Sequence, residues 1–75
     1  MKILMSTDDP AAIEGTVIKW YKADGDAVSK DETLVDLEIN KKSITLAAPA
    51  SGTLHILVEE DETVDIDAEI AEIAE

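Results

Sequence analysis

The feature that most constrains the fold is an alternation of apolar and polar residues on both sides of a short polar stretch near the middle of the chain. Before that stretch, Val35, Leu37 and Ile39 alternate with acidic residues. After it, Ile44 and Leu46 continue the alternation. A period of two residues is typical of a strand with one buried face. The pattern therefore predicts two antiparallel strands joined by a tight turn.

The polar stretch between these two strands presents a lysine. Asn40 suits a tight turn because its short amide bonds to nearby backbone and tolerates a positive φ angle. Lys41 follows it, with Lys42 beside it. Taken alone, a charged turn of this kind is also typical of a solvated loop with no further role. Its function therefore has to be judged from the rest of the chain.

The remainder of the sequence also indicates short strands separated by turn residues. We expect strands over residues 2–5, 16–22 and 53–58, with a short piece at Val28. The tail from residue 63 contains good helix formers, but its apolar residues alternate. We interpret it as a final strand that covers an exposed sheet edge.

A faint internal repeat relates the two halves of the chain. A displacement of 36 residues places Val28 on Val64, Leu34 on Ile70 and Leu37 on Ile73, and Gly15 precedes Gly52 by 37. Seven or eight short strands in two similar halves predict an all-β fold. We expect a flattened barrel-sandwich of two antiparallel sheets with approximate two-fold symmetry, as a single domain over residues 1–75.

Composition excludes several classes of function. The chain has 18 acidic residues, six lysines and no arginine, for a net charge of −12, so nucleic-acid and membrane partners are not expected. It has no cysteine, and its single histidine, His55, is predicted to be exposed. The acidic run 59–62 lacks the glycine and ligand spacing of a calcium loop. We expect neither a metal site nor catalytic residues.

The region around the lysine turn carries a family resemblance. Residues 34–52 read LVDLEINKKSITLAAPASG. This run resembles a lipoyl domain of the biotinyl/lipoyl carrier family, in which an apolar strand leads to Glu-Thr-Asp-Lys and a second strand leads to Ala-Pro-x-x-Gly. Glu38, Ile39 and Asn40 match the three residues that flank the turn. Lys41 matches the lysine that carries the cofactor.

The same resemblance separates the two lysines. The modified lysine of the family precedes the exit proline by eight residues, as Lys41 precedes Pro49, whereas Lys42 misses that spacing by one. A shift of one strand position also turns the side chain away from the tip. Lys41 is therefore the predicted attachment site, with Lys42 as the less favoured alternative.

The sequence departs from the family pattern at three places. Asn40 stands where the family usually has Asp, and Asp61 stands where the second half usually has a turn glycine. The loop after the first strand, Asp8-Asp9-Pro10-Ala11-Ala12, replaces a glycine-rich loop. The changes at Asn40 and in this loop bear on recognition by the partner decarboxylase more than on the fold.

The resemblance implies a non-catalytic, monomeric, swinging-arm carrier. Lipoic acid would be attached by a lipoate ligase or lipoyl transferase. The arm would then serve a thiamine-dependent 2-oxo acid decarboxylase, an acyltransferase core and a dihydrolipoyl dehydrogenase, all in a 2-oxo acid dehydrogenase complex. The expected location is the cytoplasm, or the mitochondrial matrix in a eukaryote.

Two alternatives stay open on the sequence. One is a biotin carrier domain of a carboxylase or decarboxylase, although biotinyl domains typically place Met on both sides of the lysine. In that case the attached cofactor is biotin. The other is an unmodified binding module with the same sandwich.

Overall fold

The structure is a computed structural model that describes residues 1–7 and 9–75; Asp8, in the loop predicted after the first strand, lies outside the described residues. Those residues contain eight strands and, in agreement with the sequence, an all-β fold. No helix in this part of the chain has the length and apolar character needed to cross a membrane. The strands are Lys2–Leu4 (β1), Glu14–Trp20 (β2), Ala27–Val28 (β3), Thr33–Ile39 (β4), Lys42–Ala47 (β5), Gly52–Ile56 (β6), Thr63–Asp65 (β7) and Glu69–Ala74 (β8).

The strands form two antiparallel four-stranded sheets that are related by the internal repeat. Their orders are β1-β8-β6-β3 and β5-β4-β2-β7, and each strand of one order corresponds to the strand four places before or after it in the chain. The turn hydrogen bonds repeat as well. Tyr21 N donates to Leu34 O at 2.7 Å, and 36 residues later Leu57 N donates to Ile70 O at 2.9 Å. The predicted quasi-two-fold symmetry is confirmed.

The core between the sheets is built from aliphatic residues and one methionine. The alternation in β4 is borne out, since Val35 and Leu37 are fully buried and Ile39 is 2% exposed. Leu34 is also fully buried, because the pairing of β4 with β5 shifts register between Thr33 and Val35. The other buried apolar residues are Ile3, Met5, Val17, Val28, Ala48, Leu54, Val58, Ile70, Ala71 and Ile73.

The tail differs from its prediction. It forms two strands, β7 and β8, which belong to different sheets. They are separated by a turn at Asp67, whose φ is 73°, and the equivalent turn in the first half is at Asp31, with φ 71°. Strand β7 is the edge strand beside β2, whereas β8 lies between β1 and β6, so the prediction of one final strand that covers an edge holds for β7 and is wrong for β8. An aspartate tolerates the left-handed conformation, and the alternation of residue types runs through it unbroken.

Two other strands, β2 and β6, also have ends that are displaced from their predicted positions. Strand β2 begins and ends two residues earlier than expected, and β6 ends at Ile56 rather than Val58. Val58 is nevertheless buried, and its carbonyl accepts a hydrogen bond from Trp20 Nε1 at 2.9 Å. The side chains that the pattern assigned to the core are therefore placed correctly even where the backbone has left the sheet.

Candidate functional site

Asn40 and Lys41 form the two-residue turn between β4 and β5. Ile39 pairs with Lys42 across the base of the turn, and φ is 51° at Asn40 and 66° at Lys41. Positive φ at both central positions defines a type I′ turn, whose twist matches that of the strands it joins. Lys41 stands at the second central position, where glycine is favoured and a side chain costs about 1–2 kcal/mol. A strained position of this kind is a starting point for a functional hypothesis.

The structure distinguishes the two lysines by position. Both are exposed, but Lys41 is at the apex, whereas Lys42 is already the first residue of β5. Among residues 1–7 and 9–75, the ion pairs join Lys2 to Glu69 and Lys22 to Glu32. Within that part of the chain, no carboxylate is therefore paired with the amine at the apex.

The hairpin is anchored at its base by close packing. Ile39 is buried next to Gly15 of β2, and a methyl group on that glycine would lie 2.8 Å from Ile39 Cγ1 and 2.6 Å from Met5 Sδ. The missing side chain therefore leaves room for the two core residues beneath the hairpin. From the sequence, Gly15 was placed only in the internal repeat, and this packing role was not predicted.

Asn40 is also held from outside the hairpin. Its Nδ2 donates to Asp9 Oδ2 at 2.9 Å, across 31 residues of sequence. This hydrogen bond is the largest cause that lowers the pKa of Asp9, followed by a bond from Ala11 N, and the charge of Lys42 acts in the same direction. Asn40 was predicted from the sequence as a residue that flanks the turn, but its hydrogen bond to Asp9 was not predicted. A signal was present, because both residues fall where the chain departs from the family pattern.

The outer face of the hairpin stem carries a second polar cluster. Asp36 of β4 accepts hydrogen bonds from Tyr21 Oη at 2.6 Å and from Thr45 Oγ1 of β5 at 2.7 Å. These bonds, the one from Tyr21 first, lower the pKa of Asp36, and the same contact raises the pKa of Tyr21. Lys19 Nζ lies 4.8 Å from the centre of the Tyr21 ring. The cluster connects the two strands of the stem to the chain that follows β2.

The remaining predicted site residues take the following places. Glu38 is exposed on β4, between Thr16 of β2 and Ser43 of β5. His55 is exposed on β6, as expected. Among residues 1–7 and 9–75, no group of three or more His, Asp or Glu side chains is arranged to hold a metal ion.

The fold and the turn define a class of protein: a small, two-sheet β-sandwich that presents one lysine amine at a hairpin apex. A sequence profile for the biotin and lipoyl attachment family, described as "biotin-requiring enzyme", matches residues 6–73. The chain belongs to this biotinyl/lipoyl family. The resemblance inferred from residues 34–52 is confirmed.

Curated relatives agree with the family. The acetyltransferase component of the Corynebacterium glutamicum pyruvate dehydrogenase complex, named for its dihydrolipoyllysine residue, is 43% identical over 63 residues, which is 83% of this chain and 9% of that protein. The corresponding succinyltransferase component of the Rickettsia bellii 2-oxoglutarate dehydrogenase complex is 34% identical over 76 aligned positions, which is 100% of this chain and 19% of that protein. The Mycobacterium bovis acetyltransferase component is 41% identical over 72 residues, or 95% and 13%.

The chain thus spans less than a fifth of the length of these relatives, and the matching region is the small carrier domain rather than the acyltransferase. The family and the relatives together support a covalently attached lipoyl or biotin group.

Proposed function

We propose that residues 1–75 form a lipoyl carrier domain and that Lys41 Nζ is the point of attachment. The observation that carries the proposal is the geometry of the turn, which places an exposed lysine at the second central position of a type I′ hairpin. The relatives support lipoyl over biotin, since their names specify a dihydrolipoyllysine residue. The absence of Met beside Lys41 points the same way.

The residues of the turn fit a covalent acyl group. A lysine amine becomes a nucleophile when it loses its proton. Lys41 Nζ would attack an activated carboxyl carbon presented by a ligase and form an amide bond. The activating group would leave with the electron pair of its bond to that carbon. Two protons would pass to solvent, one from the ammonium before the attack and one from the nitrogen as the amide forms. The exposed apex leaves the amine accessible to the ligase.

The work of the chain itself is to hold and present the arm. The buried Ile39 fixes the hairpin base, and the pairing of β4 with β5 fixes the stem. Preorganised placement of the amine lowers the entropy lost when an enzyme engages it. A bound lipoyl group would supply the redox and acyl-carrying chemistry, so a protein without cysteine can take part in it.

The proposed partners follow from the family resemblance, and the relatives' names include acyltransferase components of pyruvate and 2-oxoglutarate dehydrogenase complexes. These partners are a lipoate ligase or lipoyl transferase, and the decarboxylase, acyltransferase and dihydrolipoyl dehydrogenase of a 2-oxo acid dehydrogenase complex. A net charge of −12 favours steered encounters with basic surfaces of such enzymes. On this acidic chain, the turn differs from its surroundings because it carries two adjacent lysines, Lys41 and Lys42.

The test is modification of the purified chain by a lipoate ligase supplied with lipoate and ATP, followed by intact-protein mass measurement. We expect one lipoyl group on the wild-type chain, none on Lys41→Arg, and one on the matched control Lys42→Arg. A parallel reaction with a biotin ligase should leave the chain unmodified. Preferential biotinylation would instead assign a biotin carrier. A folded chain that accepts neither group would assign an unmodified binding module.

A further inference from the structure

The turn that follows β1 is organised around Asp9. Asp9 N donates to Thr7 Oγ1 at 3.2 Å, and Ala12 N donates to Asp9 O at 3.2 Å. Ala11 N donates to Asp9 Oδ1 at 2.9 Å. An aspartate at the first position with Pro10 at the second is typical of a type I turn. One carboxylate oxygen of Asp9 is therefore committed to its own turn.

The second carboxylate oxygen reaches the lysine hairpin. Asp9 Oδ2 accepts the 2.9 Å hydrogen bond from Asn40 Nδ2, and we call this contact the 9–40 bridge. The bridge joins the lysine hairpin to the connection between β1 and β2, which runs from one sheet to the sheet that contains β4. It attaches to the residue immediately before Lys41, so it restrains the apex from the side as well as from its base.

The chemistry of the 9–40 bridge fixes which side chains are compatible with each other. An ionised carboxylate only accepts hydrogen bonds, so residue 40 has to donate when residue 9 is aspartate. An aspartate at position 40 would place two carboxylates against each other. The side chains at positions 9 and 40, both of which lie where the chain departs from the family pattern, therefore depend on each other.

We propose that Asn40 is a positioning residue for Lys41, acting through Asp9 to hold the apex and the 9–12 turn as one surface for the enzymes that act on the lysine. This inference rests on the proposed carrier function. Ile13, which is 77% exposed immediately after that turn, belongs to the same surface. An enzyme that docks on Lys41 would meet the hairpin and the turn in a fixed relation.

Moving the carboxylate from position 9 to position 40 tests the proposal. The substrates are the wild-type chain, Asn40→Asp, Asp9→Asn and the double variant, and the readout is kcat and KM for lipoyl transfer by lipoate ligase. Asn40→Asp should raise KM about two- to fivefold, the range of an exposed polar contact, with little change in kcat. Asp9→Asn is the single-variant reference for the double variant, and it should raise KM less than Asn40→Asp does, because its amide oxygen can still accept from Ala11 N and its amide can pair with Asn40.

The double variant is the decisive arm. Asn at position 9 donates to Asp at position 40, which rebuilds the 9–40 bridge in the reverse direction, and KM should return to within about twofold of wild type. Ser43→Asp is the matched charge control, because it adds one negative charge to the same hairpin outside the bridge. Any effect of Ser43→Asp should persist in the presence of Asp9→Asn.

The outcomes separate the two proposals. No transfer to the wild-type chain would overturn the carrier assignment and this inference together. Normal transfer to wild type with an unchanged Asn40→Asp, or with a double variant as slow as Asn40→Asp, would overturn the 9–40 bridge alone. Amide exchange at Lys41 and Lys42 in the unmodified chain gives a second readout. Exchange should accelerate in Asn40→Asp and slow again in the double variant.

Discussion

The two ends of the sandwich have equivalent backbone topology, but their paired strands are connected in different ways. At one end, β4 and β5 are joined covalently through Asn40 and Lys41. At the other end, their equivalents β8 and β1 are not joined, and the first and last strands are held by hydrogen bonds. Met1 and Ile73 exchange two of these bonds, each at 2.7 Å.

This difference shows that formation of the two sheets and the presence of a lysine hairpin are separate matters. The sheet that contains β8 and β1 forms without any hairpin at its end, so the architecture does not depend on a turn of this kind. A lysine at a strained turn position is therefore not explained by folding. The proposed presentation of the amine accounts for it.

The largest expected effect comes from equivalent core positions in the two halves. Leu37 and Ile73 are both fully buried, so truncation to alanine removes side-chain burial and leaves a cavity. We expect Leu37→Ala and Ile73→Ala each to lower the free energy of unfolding by about 3 kcal/mol, measured by urea titration. A cost below about 1 kcal/mol for either variant would break the equivalence of the two ends.

Two equivalent glycines sharpen the comparison. A methyl group at Gly52 would meet the backbone carbonyl oxygen of Ala74, which cannot move without disrupting β8, whereas at Gly15 the closest atom is the flexible Met5 Sδ. We expect Gly52→Ala to destabilise the chain by about 3 kcal/mol and Gly15→Ala by about 1 kcal/mol. Thermal unfolding of the two variants measures the difference. The reverse order would show that the packing beneath the lysine hairpin is the more rigid.

A smaller effect is expected at the turns before β3 and β7. Gly25 has φ 90° in open space, while its equivalent Asp61 already carries a side chain at φ 70°. Gly25→Ala should cost about 1 kcal/mol through backbone conformation alone. Asp61→Ala is the matched control and should cost less, since that backbone already tolerates a side chain. Equal costs in urea titration would contradict the repeat at these turns.

The smallest effect concerns pH and only the half with the lysine hairpin. Tyr21 and Thr45 lower the pKa of Asp36 by hydrogen bonding, whereas the equivalent of Tyr21 is Leu57, which has no hydroxyl. A lowered folded-state pKa contributes stability above the ordinary pKa of aspartate, and the contribution is lost as pH falls through the lowered value. Tyr21→Phe should raise the pKa of Asp36 in an NMR titration, and Thr45→Val should raise it less. An unchanged value in Tyr21→Phe would remove this asymmetry between the halves.

Local periodicity explains what could be predicted from the sequence. The strands around the turn were predictable because the alternation of apolar and polar residues indicates which side chains are buried. Val35, Leu37 and Ile39 are buried as that alternation predicts. The division of the tail at Asp67 was not, since a single left-handed residue reverses the chain without interrupting the alternation.

The residues of the site likewise fall into those that a local motif predicts and those that depend on contacts between distant segments. Lys41 was identified from its motif and spacing, which are local. The partner of Asn40 lies 31 residues away, and the packing space at Gly15 depends on side chains from two other segments. Neither is encoded in a short pattern, because both arise only when the sheets are assembled.

The central claim is that the apex position, rather than lysine content, determines where the chain is modified. The most direct measurement is tandem mass spectrometry of the wild-type chain after lipoylation, with the modified residue assigned by fragment ions between positions 40 and 43. We expect a lipoyl group on Lys41 and none on Lys42, although the two lysines are adjacent and both exposed. A lipoyl group on Lys42, or divided equally between the two lysines, would contradict it.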